Sequence, residues 1–388
     1  MKKIIIVNNN MKIGGVQKSL CNLLWAIEKD YDVTLLLFEK KGELLSNVPP
    51  SVKVVKATGP FRYLGVNQGE CKGHPVDYIL RGTLAFLSRL FGRSRVLQLM
   101  LKRQPKLSGN YDCAIAFLHN GRRKAFYGGT QEYVLHCINA DKKIAFVHGD
   151  YQNCGANHAE NNVLMGSFDV IAACSDGCKA VLVKSLPHLK DKCVTVPNCH
   201  DFDAICHLAS TDPLEYDAAY INVIIVARLS HEKGIDRAIK AVSRAVAQGY
   251  KIKLQVVGDG PMREELVDLV EKKHVSDDIV FYGSQSNPYR FMKNADLLLI
   301  TSYHEAAPMV IDEALCLGVP TFTTRTTSSK DMVEERHCGW VCENNQESLN
   351  QMLYKVLSNK KALMDMKEKL IKNRVDNSEA LCQFYSII

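Results

Sequence analysis

Two glutamates carry the first chemical signal. In "LLLITSYHEAAPMVIDEALCLGVPTFTT", residues 297–324, Glu305 and Glu313 stand eight positions apart between two apolar runs. The first run reads as a strand and "MVIDEALCL" as a helix, with Gly318 as its C-cap and "VPTFTT" as the next strand. Pro308 fits the first turn of that helix, where its missing N–H costs nothing. The free N–H groups near Ala307, Met309 and Val310 then make an anion site. A carboxylate beside an anion is repelled, so Glu305 is better suited to accept from neutral hydroxyls, such as those of a sugar. Glu313, about one and a half turns into the helix, is placed for a second set, such as those of a ribose. The plainer alternative is that both acids only favour the positive end of the helix dipole, worth about 0.3–1 kcal/mol each.

Other segments offer what such a ligand needs. In "VARLSHEKGIDRAI", Arg228 follows a strand and Lys233 precedes a helix introduced by Gly234, which suits a diphosphate. In "NNNMKIGGVQKSL", Gly14 and Gly15 open a helix and let a ligand approach the backbone. This is not GxGxxG, and no acid ends the following strand, so a dinucleotide dehydrogenase fits poorly. In "VVGDGPMREEL", Gly258 and Gly260 bracket a strand-to-helix turn, with Pro261 at the helix's first position. Asp259 reads there as a helix cap in preference to a ligand contact. His148 and Asp150 follow the strand of "KKIAFVHGDY"; a lone histidine is more often structural than catalytic, and both readings stay open.

These residues need elements to hold them at strand ends. Apolar runs such as "KIIIV", "DVTLLLF", "CAIAFLH", "KKIAFVHG" and "DVIAACS" alternate with helix-period stretches, which implies parallel sheets covered by helices. In "GGVQKSLCNLLWAIEK", Val16, Leu20, Leu23, Leu24 and Ile27 share one helical face. The segment 197–220 lacks sustained periodicity and reads as a connector, after which the alternation restarts. The expectation is α/β: an N-terminal Rossmann-like domain, 1–200, and a C-terminal one, 201–370, with ligands bound beyond the strands' carboxyl ends and between the domains. A last helix, 371–388, is expected to return to the first domain.

Within an insertion at about 60–108, residues 76–107 stand out. Arg81, Arg89, Arg93, Arg95, Lys102, Arg103 and Lys106 interleave with apolar residues, and Asp77 is the only acid. Either a basic amphipathic helix or helix pair lies on an anionic membrane, or an ordinary insertion packs on the first domain. The formal net charge of +7 is too mild to imply nucleic acid. The 14 cysteines are scattered, without CxxC pairs or zinc spacing, as in a reduced cytoplasmic protein. The apolar run in "MKKIIIVNNN" is too short for a signal peptide, and no transmembrane run is present.

Together these motifs resemble the retaining GT-B glycosyltransferases of family 4. Glu305 and Glu313 match the family's E-x7-E motif, and "GGVQKSL", "HGD", "ARLSHEKG", "VGDGP", "FYG" and "EAAPMVIDEALCLGVP" follow in the family's order. The resemblance covers essentially the whole chain, most strongly 222–342, and implies two Rossmann-like domains facing a central cleft. It implies that Gly14, Gly15 and Gly258 lie beside the donor, that His148 contacts the donor sugar, and that Arg228 and Lys233 neutralise the diphosphate. Glu305 would contact the sugar hydroxyls and Glu313 the ribose. Ala306, Ala307, Pro308, Met309 and Val310 would form the loop whose N–H groups, Pro308 apart, hold phosphate and sugar, and Tyr282 and Gly283 would meet the base. The chain departs from the family at Ala306, usually glycine, and at Cys199 in "PNC", usually "PNG". Asp201-Phe202-Asp203 spells DxD, a metal signature of another fold, and is discounted in the connector.

The implied activity is transfer of a sugar, with retained configuration, from a UDP- or GDP-type sugar to an acceptor hydroxyl. No metal or cofactor is called for, since the cations and helix terminus supply the positive charge. The expected acceptor is a lipid-linked saccharide of bacterial surface-polysaccharide synthesis. The expected location is the cytoplasm, with attachment to the inner face of the plasma membrane left open. The rival readings are a GT-B nucleotide-sugar 2-epimerase and a silent nucleotide-sugar-binding protein.

Overall fold

The structure is a computed structural model that describes residues 1–373 and 375–388. Seven strands form the first sheet: β1 (Lys3–Asn8), β2 (Asp32–Leu37), β3 (Lys53–Lys56), β4 (Asn110–Ala116), β5 (Asn139–Val147), β6 (Val170–Ala173) and β7 (Cys193–Thr195). Six form the second: β8 (Ile221–Val226), β9 (Ile252–Val257), β10 (Ile279–Gly283), β11 (Leu297–Ile300), β12 (Thr321–Thr324) and β13 (Gly339–Cys342). All the strand pairs described are parallel. The sequence dictates this, because β1 and β2 bury every residue after their first, and a strand covered on both faces needs a continuous apolar run.

The strand orders are β3-β2-β1-β4-β5-β6-β7 and β10-β9-β8-β11-β12-β13. In each sheet the chain starts in the middle, builds to one edge, then returns to build the other. The order reverses between β1 and β4, and again between β8 and β11, and both crevices open at the carboxyl ends of the strands. Apolar side chains cover both faces of each sheet.

Each Rossmann-like sheet belongs to its own unit. The first unit is Met1–Cys199 with Asn377–Ile388, and the second is His200–Asp376. The helix Ser378–Ser386 buries Ala380 and Phe384 in the first unit's core, and the Tyr385 hydroxyl donates to Asp30 Oδ2 at 2.7 Å. The return to the first unit begins at Asn377, because 371–372 still belong to the helix Lys360–Lys372 of the second unit.

Three local readings need correction. The connector contains a helix, Phe202–Ser210, that buries only Ile205 and Ala209, too few positions to show a period. Asp201 caps it by accepting from the Ala204 N–H at 2.9 Å, so this half of the DxD triplet has a structural task. The helix after β9 begins at Arg263, so Pro261 lies before it, and Asp259 accepts from the Gly260 N–H at 2.7 Å and does not cap. Pro308 is the N-cap residue of the helix Met309–Cys316, one position before its first turn. In contrast, Ser175 caps the helix Asp176–Ser185 by accepting from the Cys178 N–H at 3.1 Å, as its type predicts.

Candidate functional site

The second unit brings Arg228, Lys233 and Glu305 to the crevice between β8 and β11, with Gly258 after β9 and Tyr282 and Gly283 at the end of β10. Lys233 lies in the loop after β8 and Glu305 in the loop after β11. Lys233 Nζ meets Glu305 Oε1 at 2.6 Å, and the Ser302 hydroxyl donates to the same oxygen at 2.6 Å. The two side chains are 26% and 11% exposed, so solvent screens this pair less than an ordinary surface pair. Both contacts fall on Oε1, which leaves Oε2 to accept from a ligand hydroxyl. The pairing also removes the objection to a carboxylate beside an anion: Glu305 enters the crevice already neutralised.

The backbone around the pair is tightly determined. Gly234 adopts φ +58°, and a Cβ there would stand 2.4 Å from the Thr301 carbonyl oxygen. The Thr301 hydroxyl donates to the Gly234 carbonyl at 2.8 Å, which ties the two loops together. Arg237, buried, donates to the Thr301 carbonyl at 3.2 Å and to Asn344 Oδ1 at 2.6 Å. Arg228 is exposed on the β8 loop. The Ser230 hydroxyl, then Arg228 and Lys233, hold Glu232 below the usual carboxylate range against the effect of burial.

Ala306, Ala307, Pro308 and Val310 are half-buried on the approach to the helix Met309–Cys316, and Met309 is buried. Glu313 is the fifth residue of that helix and only 5% exposed, with Oε1 3.4 Å from the Tyr289 hydroxyl. The first-turn acid, Asp312, is paired with Arg336. Gly258 has φ +138°, and a Cβ there would fall 1.9 Å from the Ala227 carbonyl oxygen, so only glycine fits. Its N–H donates to the Gly283 carbonyl at 2.8 Å, and Gln285 donates to the Tyr282 carbonyl at 2.7 Å. Thus the Gly283 carbonyl ties the ends of β9 and β10, while the Tyr282 carbonyl holds the turn after β10.

In the first unit, Gly14 caps the helix Gly15–Ile27 with extended backbone, φ 178°. Any residue adopts that conformation, and a Cβ on Gly14 would meet only the flexible Gln17 side chain. No side chain caps this helix, so its first N–H groups face the loop. His148 follows β5 and packs against Phe117, with ring centroids 4.5 Å apart. It hydrogen-bonds Asn198, whose Oδ1 accepts from the Ser19 hydroxyl at 2.8 Å. Asp150 accepts from the Gln152 and Asn153 N–H groups, a turn-forming role.

Sequence reasoning missed His119, which follows β4 at the first unit's own crevice. Its Nε2 would be 2.7 Å from a Cβ at Gly149, so that glycine makes room for it. Both histidines keep some exposed surface, yet His148 Nε2 and His119 Nδ1 are fully covered and have no hydrogen-bond partner. Burial, then the neighbouring His119, pushes His148 down to about 3, and burial pushes His119 down to about 4. Both rings are neutral at physiological pH. The signal was available, because His119 ends a strand-like run just as His148 does. Ser302 was likewise visible at the end of β11, but its partner was not.

Beside the glycine loop lies a cavity of about 250 Å³. Its walls include three ion pairs, Lys56 with Glu39 at 2.6 Å, Lys41 with Glu70 at 3.0 Å, and Arg62 with Asp77 at 2.5 Å, together with Tyr63, Val66, Cys71 and His74. Glu70 also holds Lys12, two residues before Gly14, so cavity and loop share a wall. Among the described residues, no cluster of three or more His, Cys, Asp or Glu could hold a metal ion.

Residues 214–373, all within the second unit, match the family described as Glycosyl transferases group 1. The chain is 35% identical over 130 residues to the lipopolysaccharide glucosyltransferase WaaG of Escherichia coli K12, covering 32% of this chain and 34% of that one. It is 24% identical over 210 residues to the N-acetylgalactosamine-N,N'-diacetylbacillosaminyl-diphospho-undecaprenol 4-alpha-N-acetylgalactosaminyltransferase of Campylobacter jejuni, covering 54% and 56%. The chain thus spans about a third of the first relative and just over half of the second. The solved structure of Anabaena Alr3699/HepE in complex with UDP and glucose superposes with a TM-score of 0.68 at 16% identity, over 100% of this chain and 99% of that one. The crystal structure of WaaG superposes with 0.63 at 16% identity, over 99% of each. At such identities the likeness shows the fold: two Rossmann-like domains, as in the GT-B glycosyltransferases.

Proposed function

We propose that this chain, whose residues 214–373 match the glycosyl transferases group 1 family, transfers a sugar from a nucleotide diphosphate sugar to an acceptor hydroxyl with retained configuration. The observation that carries the reading is the Lys233–Glu305–Ser302 cluster at the crevice between β8 and β11. Lys233 and Arg228 face the diphosphate, while Glu305 Oε2 accepts from the sugar. The bond from C1 to the phosphate oxygen breaks, and its electron pair leaves with the nucleoside diphosphate. The acceptor oxygen bonds to C1 on the same face, and its proton goes to the departing phosphate oxygen. Lys233 and Arg228 stabilise the charge that develops there, commonly the largest catalytic contribution. They also supply the charge a metal would otherwise bring, so chelation with EDTA is expected to leave turnover unchanged.

The donor is UDP- or GDP-linked. The UDP and glucose bound in the Anabaena structure favour UDP. The acceptor is a lipid-linked saccharide of a cell-surface polysaccharide, in line with the relatives' names, and the enzyme works at the membrane's inner face. The cavity beside the glycine loop is the place for its sugar: balanced ion pairs offer donors and acceptors to hydroxyls without net charge.

The test is a donor panel scored for nucleoside diphosphate release, with and without lipid-linked acceptors. Release that depends on acceptor supports the transferase. Conversion of the donor without acceptor would point instead to an epimerase. Binding without turnover of any donor would overturn the enzymatic reading.

A further inference from the structure

The insertion forms two consecutive helices, Pro75–Phe91 and Arg93–Leu101. The first has a clear inside. Asp77 takes hydrogen bonds from Arg62 and from the Tyr63 hydroxyl, Arg81 donates to the Val66 carbonyl at 3.1 Å, Ser88 is buried, and Leu84 and Leu87 pack on the core. Its opposite side is apolar and uncovered. Val76, Ile79, Phe86 and Leu90 are 69%, 65%, 60% and 55% exposed, and Leu80 and Phe91 flank them. With Thr83 between Ile79 and Phe86, the spacing is three, four, three and four, so these side chains form one stripe along about 21 Å of helix. Isolated exposed apolar residues need no explanation, but a continuous stripe does.

The surrounding charge identifies what covers it. Of the seven cations between 76 and 107, two are structural: Arg81 is turned inward, and Arg93 is buried against Glu132 at 3.0 Å. Arg89, Arg95, Lys102, Arg103 and Lys106 are all exposed. The one acid, Asp77, is neutralised by Arg62 on the inner side. An apolar stripe whose own helix carries the exposed Arg89, followed in the chain by the exposed Arg95, Lys102, Arg103 and Lys106, matches a surface with an apolar interior and anionic headgroups. Among the described residues, no helix is long and apolar enough to cross a membrane.

We infer that the outer face of the Pro75–Phe91 helix inserts into the surface of an anionic lipid bilayer, with the five exposed cations on the headgroups. This docking does not rest on the transferase reading, and it is tested without acceptor or turnover. The full chain is mixed with vesicles of phosphatidylcholine alone and of phosphatidylcholine with 30% phosphatidylglycerol, and bound protein is measured by flotation. Two variants accompany it: Ile79→Ser with Phe86→Ser and Leu90→Ser, and Arg89→Gln with Arg95→Gln, Lys102→Gln and Arg103→Gln. All seven side chains are exposed, so both variants should fold, which circular dichroism checks. The expected result is binding to the anionic vesicles only, at least about tenfold weaker for the serine variant and about fivefold weaker per cation removed for the glutamine variant. Unchanged binding in either variant, or equal binding to neutral vesicles, would overturn it. So would a dimer, seen by light scattering, that the serine variant dissociates without any vesicle binding. Donor turnover that persists while vesicle binding fails would reject this docking and leave the transferase reading intact.

Discussion

At the carboxyl ends of β8 and β11, Lys233 and Glu305 meet as a charged pair at 2.6 Å. At the carboxyl ends of β4 and β5, His119 and His148 adjoin as neutral rings with covered nitrogens. The two sheets share one strand order up to the last strand, so the fold offers equivalent crevices in both. The difference is therefore written in the side chains. A crevice with fixed cations and a pre-neutralised carboxylate suits a ligand that is both anionic and hydroxylated. A crevice of neutral imidazoles, each with one covered nitrogen, and a serine–asparagine–histidine chain suits uncharged polar groups, because a desolvated imidazole resists becoming a cation.

The strongest way to break this contrast is to remove its charged member. Glu305→Ala should cut turnover at least about 100-fold, equivalent to about 2.7 kcal/mol of lost transition-state stabilisation. Near-normal nucleoside diphosphate release from that variant would end the assignment. Lys233→Met should cost nearly as much, of the order of 10²-fold, as for loss of one fixed donor to the developing oxyanion. The pair sharpens the test. Because Lys233 is bonded to Glu305, the double variant should lose less than the product of the two single losses. Strict additivity would mean that the 2.6 Å contact does not persist in the working enzyme.

How far the sequence could lead differs in the same way between the two crevices. Glu305, Glu313 and the Met309–Cys316 helix lie in one short run, so strand, loop, cap and helix were legible together. The Lys233–Glu305 bond spans 72 positions and is set by Gly234's backbone and by Thr301, neither of which a local pattern displays. The first unit's cluster is more dispersed still, drawing on Ser19, His119, His148 and Asn198. A rule that asks for histidine after a strand finds His119 as readily as His148, but only folding shows that they adjoin. Asp259 was misread for a related reason. Gly260 sits where a Cβ would be 2.4 Å from the Leu229 carbonyl oxygen, and Met262 N–H bonds that same carbonyl. The loop has its own hydrogen bonds to satisfy before a helix can begin at Arg263.

The neutral member of the contrast answers to pH. The pKa values of His148 and His119 are depressed in the folded chain, to about 3 and about 4, from an ordinary value of 6.5. As pH falls through 6.5, the unfolded chain binds protons that the folded chain refuses. Their neutral forms therefore support stability above pH 6.5, and that support is lost progressively as pH falls toward 4. At pH 5 the loss is up to roughly 2 kcal/mol for each ring. The His148→Gln variant, which cannot titrate there, should lose about half as much between pH 7 and 5, read from urea midpoints. Parallel losses in parent and variant would show that His148 takes up a proton in the folded state, and the contrast of charged and neutral crevices would fail.

The smallest expected effect concerns how finely the charged crevice discriminates. Ala306 follows Glu305 directly and is half-buried, in the position where the resembling family usually has glycine. On the proposed reading, in which Glu305 receives the sugar, a methyl group on the next residue of the loop narrows the space for a substituent on that sugar. One methyl group in such a pocket is worth about 1–3 kcal/mol of discrimination between sugars. Ala306→Gly should therefore leave nucleoside diphosphate binding unchanged while shifting the ratio of kcat/KM between two donors by about tenfold, toward the bulkier sugar. A uniform change across all donors would assign Ala306 to the loop's backbone and not to the sugar. No change at all would place the sugar away from Glu305, although the charged pair could still serve the diphosphate through Lys233.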